Sequence, residues 1–424
     1  YSKDFEKALE IGRPPNIVKK FPNSKALIVS GKVINEAMHK KGKAMTIAAN
    51  GRNTLIIRGA LQAAQKANAA IIIEIAKSEG GRDAYCAVNF WNMATHVDSI
   101  CNELGITIPV AIHADHYGIK AEKDIEAART EIPSMFDAGI TSIAIDASHL
   151  PDDQNLLASL EVNQYIPKWA GLETEVGEIK GNQGLSTAEE ASFLIQGLNA
   201  HGIHPDWIAL NNGTTHGIQD SSAGIQVDLT AEIHEAIMKY GVAGAQHGTS
   251  GNDSAKLKEV AEKTNTTKAN VATALQMLSW GVEVNDAGNA AMDSDKHPVK
   301  VKGEGASDEL WEKMVSYAKD NGISGGNWKK LNLPFENKLV SEPADIRDRM
   351  AKRVEDFVYN LLVNVFNAQD TAPLAIETII TAGSYDIGTE AKVIEDPAEW
   401  TKEKIIEKAK AIDSDKGPEG DFDD

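Results

Sequence analysis

The stretch Ile108-Pro-Val-Ala-Ile-His-Ala-Asp-His116 joins a short apolar run to two imidazoles and a carboxylate. The run has the length and composition of a buried β-strand. His113, Asp115 and His116 stand at its end. In barrels of alternating strands and helices, the carboxyl ends of the strands form the face that carries the active site. The stretch therefore predicts a strand that delivers its last residues to a functional site.

Comparable apolar runs recur along the chain from residue 44 onward. The predicted strands are 44–49, 70–75, 110–113, 142–146, 171–176, 207–211, 244–247 and 281–285. Amphipathic segments such as 54–66 and 121–129 fill the intervals, and the spacing suits strand–helix–strand units. Eight such repeats favour a (β/α)₈ TIM barrel, an α/β fold, over an open doubly wound sheet.

The rest of the chain divides around this repeat. Residues 1–43 are predicted to form an N-terminal helical cap, and residues 44–370 the barrel, including a long polar insertion after the predicted eighth strand. Residues 371–424 are predicted to be a C-terminal helical extension that ends in an acidic, disordered tail.

Charge and composition exclude several classes of function. The formal charge of −19 argues against non-specific binding to nucleic acid or to anionic membranes, although it permits an anionic substrate. Cys86 and Cys101 form no C-x-x-C pair, which argues against a thiolate zinc site. No apolar run reaches the length of a membrane span. We expect a cytoplasmic protein, with a removed leader left open because the sequence starts at Tyr1.

Three histidines are the best candidates for metal ligands. His116, His216 and His247 follow three different predicted strands, so a barrel would bring them to one face. Imidazole nitrogens suit Zn²⁺, which in catalytic sites keeps one position open for substrate. Any one of them alone could be a hydrogen-bonded structural histidine. His113, which lies deeper in its strand, is predicted to be structural.

Two turns that contain glycine follow these histidines. They are His216-Gly217 and His247-Gly-Thr-Ser-Gly251. Glycine, serine and threonine before a helix N-terminus can present backbone N–H groups to a phosphate. Their position beside the histidines predicts a phosphate site next to a metal site.

These motifs, taken together, resemble the class II, metal-dependent fructose-1,6-bisphosphate aldolases. The resemblance rests on H-x-D-H at 113–116, the segment 142–151, Leu-Glu-Thr-Glu-Val-Gly at 172–177, His216-Gly217 and H-G-x-S-G at 247–251. All occur in the family's order, between about residue 44 and residue 290. The segment after the predicted eighth strand is similar to the longer, dimeric branch of the family.

The resemblance implies a role for each matching residue. His116, His216 and His247 would be zinc ligands, with Glu175 at an alternative metal position and Asp146 nearby. Asp115 would be the acid/base at the C4 hydroxyl, and Glu178 would exchange the C3 proton. The implied substrate-binding residues, some of them beside a monovalent cation, are Gly217, Gly248, Thr249, Ser250, Asn285 and Asp286. The far phosphate would need an arginine, for which Arg347, Arg349 and Arg353 are candidates.

The implied activity is cleavage of a ketose 1,6-bisphosphate through a metal-stabilised enediolate. The implied cofactor is Zn²⁺ or another divalent cation. The cleavage would yield dihydroxyacetone phosphate and an aldehyde, as in glycolysis, in a homodimer or higher homo-oligomer. Fructose 1,6-bisphosphate is the leading substrate and tagatose 1,6-bisphosphate the alternative. The family's N-x-D-T-D motif matches only Asn285-Asp-Ala-Gly-Asn289 at the predicted eighth strand, where Ala287 and Gly288 replace a carboxylate and a threonine.

Two other classes of protein stay open. A metal-dependent barrel hydrolase is the first, although the first predicted strand ends in Ala48-Ala-Asn50 without the usual histidine pair. A non-catalytic sugar-phosphate-binding barrel is the second, favoured by the altered segment 285–289. We also expect no Schiff-base lysine, because the predicted strands offer none at the mouth of the barrel.

Overall fold

A closed barrel of eight parallel strands forms the body of the molecule. The computed structural model describes residues 2–82, 84–177, 184–214 and 224–412. Helices surround the barrel, and further helices precede and follow it. The predicted fold class is therefore confirmed.

The strands pair in chain order, and β8 closes the barrel against β1 through the pairs Thr46–Lys268 to Ala49–Val271. Their residues are almost all buried, as expected for strands covered on both sides, but they include charged side chains such as Glu74 and Lys268. The strands are β1 Thr46–Asn50, β2 Ile71–Ala76, β3 Val110–Gly118, β4 Ser142–Asp146, β5 Gly171–Val176, β6 Trp207–Leu210, β7 Ala243–Gln246 and β8 Thr266–Val271.

The helices between and after the strands cover the outside of the barrel. Many begin at a side-chain cap, for example Asn53 before α4 and Asp253 before α11. They are α4 Thr54–Ala67, α5 Lys77–Gly80, α6 Met93–Leu104, α7 Glu122–Asp137, α8 Asp152–Asn163, α9 Ala188–Ala200, α10 Val227–Ile237, α11 Ser254–Lys263 and α12 Thr273–Trp280.

Helices at both ends of the chain complete the fold. The N-terminal ones are α1 Lys3–Ile11, α2 Pro15–Lys20 and α3 Gly31–Lys41. The later ones are α13 Asp308–Asp320, α14 Asn332–Val340, α15 Ala344–Asn360, α16 Ala372–Ala382 and α17 Lys402–Lys410. Among the described residues, no helix has both the length and the apolar character needed to cross a bilayer. The predicted disordered tail, 413–424, lies outside the described residues.

The prediction of the eighth strand was wrong. Its residues are Thr266-Thr-Lys-Ala-Asn-Val271, whereas the predicted 281–285 segment follows α12. That segment is extended, but its isolated bridges join Val282 to Lys300 and Val284 to Ala290, within the insertion. The true strand escaped recognition because polar side chains, including a lysine, point into this barrel where apolar ones are usual.

The insertion has a hydrophobic core of its own. Trp328 stacks on Trp311 with ring centroids 5.1 Å apart, and Trp280 of α12 lies 6.5 Å from Trp311. Two arginines of α15 bind backbone carbonyls of the insertion and of the chain just before it, and the first, Arg349, donates to Gly305 O and Ala306 O. Arg353 donates to the carbonyls of Leu278 and Val282.

The start of α3 packs tightly against the amino ends of the middle strands. A Cβ at Gly31 would lie 2.6 Å from Ser142 Oγ and 3.0 Å from Trp207. Since backbone and side chains there have little room to move, we expect Gly31→Ala to lower the free energy of unfolding by about 1–3 kcal/mol.

Urea denaturation would measure this loss. Gly326→Ala is the matched control because no atom lies within 4 Å of its would-be Cβ, and it should change the free energy of unfolding by less than about 0.5 kcal/mol. Equal stability of the two variants would contradict the tight packing of α3.

Candidate active site

The end of β3 is irregular, and the irregularity shapes the site. The pairing of β3 with β4 shifts between Ala114 and Tyr117, which marks a bulge. His116 lies in this bulge with a positive φ of 45°, unusual for a residue other than glycine. In a regular strand Asp115 and His116 would face opposite sides. Here His116 Nε2 lies 3.7 Å from Asp115 Oδ2.

Carboxylates from β4 and β5 surround the His116 ring. Its Nδ1 lies 3.4 Å from Asp146 Oδ2 and 3.7 Å from Glu175 Oε2. His247 comes from the end of β7, with its ring centroid 4.5 Å from that of His116 and its Nδ1 3.9 Å from Glu175 Oε1. Four strands therefore bring imidazole nitrogens and carboxylate oxygens to one place.

Glu173 fixes the ring of His247 from the barrel interior. His247 Nε2 lies 2.7 Å from Glu173 Oε2, a hydrogen-bond distance, and both side chains are buried. The other Glu173 oxygen lies 3.4 Å from His113 Nε2. His113 Nδ1 is in turn 2.6 Å from Ser142 Oγ. His113 therefore lies in the buried interior with its ring nitrogens near Ser142 and Glu173, and its structural role stays a prediction.

A fully buried lysine lies beneath these groups. Lys268 Nζ is 3.0 Å from Glu173 Oε1 and 3.0 Å from Glu74 Oε1, and it donates to Asn270 Oδ1 at 2.5 Å. Burial lowers the pKa of Lys268, but Glu173 and Glu74 outweigh it and raise the pKa above its ordinary value, so the amine is an ammonium. This lysine lies in the barrel interior in its charged form, beneath the mouth to which the expectation of no Schiff-base lysine applied.

Charge also fixes the state of the carboxylates at the mouth. Burial alone would raise the pKa of Asp115, yet His116, Lys268 and His247 bring it below the ordinary value. Burial likewise opposes ionisation of Asp146, but a hydrogen bond from His116 lowers its pKa. Both groups are carboxylates at neutral pH and can accept protons or bind a cation.

The β7–α11 loop follows His247 and was predicted to bind phosphate. Gly248 has a φ of +60°, and a Cβ there would lie 2.9 Å from Thr214 Oγ1. Thr249 Oγ1 donates to the backbone oxygen of Asn270 at 2.7 Å. The loop thus brings Gly248, Thr249 and Ser250 alongside the ends of β6 and β8.

The true end of β8 reads Asn270-Val-Ala-Thr-Ala274. This matches N-x-D-T-D with the asparagine and threonine kept and alanine at both acidic positions. The substituted carboxylate position is therefore Ala272, not Ala287, and the threonine is Thr273, not lost at Gly288. Asn270 Nδ2 donates to Asp115 Oδ2 at 3.3 Å, which ties this strand end to β3.

Arg52, just after β1, supports the turn that follows β8. It is buried, donates to Thr273 Oγ1 at 3.1 Å and Gln276 Oε1 at 2.8 Å, and pairs through Nε with Glu79. Asn50 also donates to Glu79 at 2.5 Å. Arg52 is thus bound within the protein rather than presented to solvent.

Several predicted residues lie elsewhere. Asp286 is exposed and caps α11 by accepting from Ser254 N and Oγ, and Asn285 forms a turn by accepting from Asn289 N. Neither lies at the end of the eighth strand, so the strand assignment behind their predicted role was wrong.

The proposed far-phosphate arginines are also engaged with backbone. Arg347 donates to Glu342 O, Arg349 to Gly305 O and Ala306 O, and Arg353 as described above. Glu178, His216 and Gly217 lie outside the described residues. Asn211 Nδ2 donates to Gly184 O at 2.8 Å, which holds Gly184 beside the end of β6.

The sequence prediction missed Glu74, Lys268, Asn270 and Arg52. Glu74 sits inside the apolar run Ile71–Ala76, where an isolated acid signals an interior partner. The partial match of Asn270-Val-Ala-Thr to N-x-D-T could have identified the eighth strand, and with it Lys268 and Asn270. Arg52 carries no signal in the sequence, because its partners come from two separate segments, at Glu79 and on α12.

The imidazole and carboxylate groups at the mouth of the barrel are suitable ligands for a divalent cation. Asp115, His116 and His247 form one group of potential ligands and His116, Asp146 and Glu175 another, each with ligand atoms within 4.8 Å of one another. Imidazole nitrogen and carboxylate oxygen are ligands of zinc and similar metals. All these residues lie at the ends of strands or directly after them.

A family model for class-II fructose-bisphosphate aldolase matches residues 30–324, more than half of the chain. The chain belongs to this family. The match spans all eight strands of the barrel and part of the insertion that follows them.

Curated relatives agree with this membership. A fructose-bisphosphate aldolase of Staphylococcus aureus is 36% identical over 135 residues, which are 32% of this chain and 43% of that protein. One from Streptococcus pyogenes is 28% identical over 265 residues, 59% of this chain and 80% of that protein. The first alignment thus spans less than half of the relative's length.

Solved structures with the same fold include two aldolases. The YdjI aldolase of Escherichia coli K12 gives a TM-score of 0.54 at 17% identity, covering 81% of this chain and 99% of that one. The fructose-bisphosphate aldolase of Campylobacter jejuni gives 0.52 at 18% identity, covering 82% and 97%. At this identity the likeness concerns the fold alone.

The Arg52–Glu79 pair leads to a prediction about the stability of this class II aldolase. Arg52→Met should lower the free energy of unfolding by about 3–5 kcal/mol, because it leaves a buried Glu79 without its counter-charge. Arg52→Met/Glu79→Gln should recover part of the loss. Urea denaturation of both variants provides the measurement.

Arg58→Met is the control, since the Arg58–Glu103 pair has a Glu103 side chain that is 60% exposed. Its loss should cost less than about 1 kcal/mol. If Arg52→Met costs no more than Arg58→Met, the pair does not support the turn after β8.

Proposed function

We propose that this protein is a metal-dependent aldolase that cleaves a ketose 1,6-bisphosphate to dihydroxyacetone phosphate and an aldehyde. The observation that supports this most is the meeting of His116, His247, Glu175 and Asp146 beside Asp115 at one end of the barrel. Family membership points to the same chemistry. Fructose 1,6-bisphosphate is the first substrate to test, and tagatose 1,6-bisphosphate the second.

The proposed metal is zinc or another divalent cation. His116, His216 and His247 would hold it, with Glu175 at an alternative position and Asp146 nearby. When bound, the cation would supply Lewis-acid polarisation of the substrate carbonyl. The buried carboxylates around His116 and His247 support a positive charge at this place.

Asp115 and Glu178 are the proposed proton carriers. In cleavage, Asp115 accepts the proton of the C4 hydroxyl as the C3–C4 bond breaks and the aldehyde forms. The electron pair of that bond moves to C3, where Glu178 returns a proton. The lowered pKa of Asp115, which His116 and Lys268 cause against burial, supports its starting as a base.

The phosphate of dihydroxyacetone phosphate would bind at Gly217, Gly248, Thr249 and Ser250, beside a monovalent cation. The positive φ of Gly248 and its close approach to Thr214 support a backbone surface that a ligand can reach. Ala272 leaves the end of β8 without a carboxylate, so the hydroxyl contacts of the substrate need another partner.

A cytoplasmic location, a place in glycolysis and a homodimer or higher homo-oligomer are proposed from the family alone. Of the two rival classes, the non-catalytic sugar-phosphate-binding barrel is favoured by alanine at both acidic positions of residues 270–274, and release of triose phosphate would exclude it. A hydrolase would need metal-activated water, and β1 ends without a histidine. Hydrolysis of simple esters and amides, assayed alongside aldol cleavage, separates the two activities.

Metal removal is the first test. Chelation followed by removal of the chelator should abolish release of triose phosphate, and added Zn²⁺ should restore it, because carbonyl polarisation depends on the cation. A coupled assay with fructose and tagatose 1,6-bisphosphates measures the activity. Undiminished cleavage by protein that elemental analysis shows to be metal-free would refute the proposal.

Substitution of the proton carrier is the second test. Asp115→Asn should lower kcat by about 10²–10⁴, the usual contribution of general acid–base catalysis, with metal content unchanged. The matched control is Asp286→Asn, an exposed aspartate that caps α11, which should leave kcat unchanged. Loss of metal from Asp115→Asn would instead make Asp115 a ligand.

A further inference from the structure

Lys268 is the least expected residue in the barrel. Its side chain is completely buried, although lysine is almost never buried without partners. Its ammonium group forms ion pairs with Glu74 of β2 and Glu173 of β5, each at 3.0 Å, and donates a hydrogen bond to Asn270 of β8. The proposed reaction assigns no role to Lys268, whose ammonium group contacts buried side chains beneath the mouth of the barrel.

One branch of contacts leads from Lys268 to the proposed metal site. Lys268 Nζ holds Glu173 Oε1 at 3.0 Å, and the other oxygen, Oε2, lies 2.7 Å from His247 Nε2. A carboxylate on one ring nitrogen sets the tautomer and orientation of a histidine and makes its other nitrogen a better ligand. Lys268 thus fixes the carboxylate that fixes His247.

A second branch leads from Lys268 to the proposed proton carrier. Lys268 donates to Asn270 Oδ1 at 2.5 Å, which fixes the orientation of the amide. The amide nitrogen then donates to Asp115 Oδ2 at 3.3 Å. Without the ammonium, the amide could rotate and present its oxygen to the carboxylate.

We propose that Lys268 is a positioning residue that aligns His247 through Glu173 and Asp115 through Asn270. This inference rests on the proposed function, because it concerns the same site. The charge of Lys268 would then affect both the affinity for the cation and kcat. A lysine that serves only to fill and neutralise the interior would affect stability alone.

Cation affinity of the folded protein distinguishes these roles. Metal-free wild type and Lys268→Met are titrated with Zn²⁺ against a competing chromophoric chelator, and Co²⁺ spectra report the ligand geometry. We expect Lys268→Met to bind Zn²⁺ about 10–100-fold more weakly, as is typical when a partner behind a ligand is lost. The Co²⁺ spectrum should also change.

Lys32→Met is the matched control. Lys32 is a second buried lysine, 3.0 Å from Asp206 Oδ2 just before β6, at the other end of the barrel. The Lys32→Met substitution removes the same charge and a similar buried ion pair. Lys32, however, has no contact with Glu173 or Asn270. We expect the thermal stability of this variant to fall while its Zn²⁺ affinity stays within about twofold of wild type, as for independent sites.

The two branches can be tested separately. Glu173→Gln should weaken Zn²⁺ binding, whereas Asn270→Ala should lower kcat and leave Zn²⁺ affinity unchanged. If Lys268→Met does not fold, unchanged Zn²⁺ affinity in Glu173→Gln overturns the inference. If it folds, wild-type Zn²⁺ affinity in Lys268→Met overturns it. Wild type that binds no cation would instead overturn the proposed function.

Discussion

The parallel pairing of β8 with β1 is the constraint on which the site depends. It closes the barrel, so that strands far apart in the sequence direct side chains into one interior. Lys268 of β8 can then meet Glu74 of β2 and Glu173 of β5 across that interior. An open sheet would leave these charges without partners, and their burial would be prohibitively unfavourable.

The polar interior has an energetic cost. Buried ion pairs often contribute little to stability, because desolvation offsets their attraction, and apolar replacements can be equally stable. An interior of lysine, glutamate and histidine in place of the usual branched apolar layers is therefore better explained by the site above it than by folding. Such an interior also has to be assembled completely, since removing one partner leaves another charge buried and unpaired.

The sequence predicted the barrel, seven of its strands and the meeting of His116 with His247, because apolar runs and strand-end histidines are local signals. It misplaced the eighth strand, since the polar run from Thr266 to Asn270 does not look like a buried strand until its interior partners are known. Arg349 and Arg353 appeared free to bind phosphate, yet they bind backbone carbonyls of a distant insertion. Contacts between remote segments, such as Arg52 with Thr273, leave no pattern along the chain.

The bulge at His116 limits how this protein can change over evolutionary time. A φ of +45° is tolerated by glycine and, at a smaller frequency, by asparagine, aspartate and histidine, but it is unfavourable for branched or bulky side chains. Of the residues that tolerate it, only histidine, aspartate and asparagine carry a ligand atom. The backbone thus disfavours other ligand types at this position, where cysteine or glutamate would cost about 1–2 kcal/mol unless β3 straightened. Straightening would turn residue 116 away from Asp115, so the proposed ligand and the proposed proton carrier depend on the same backbone conformation.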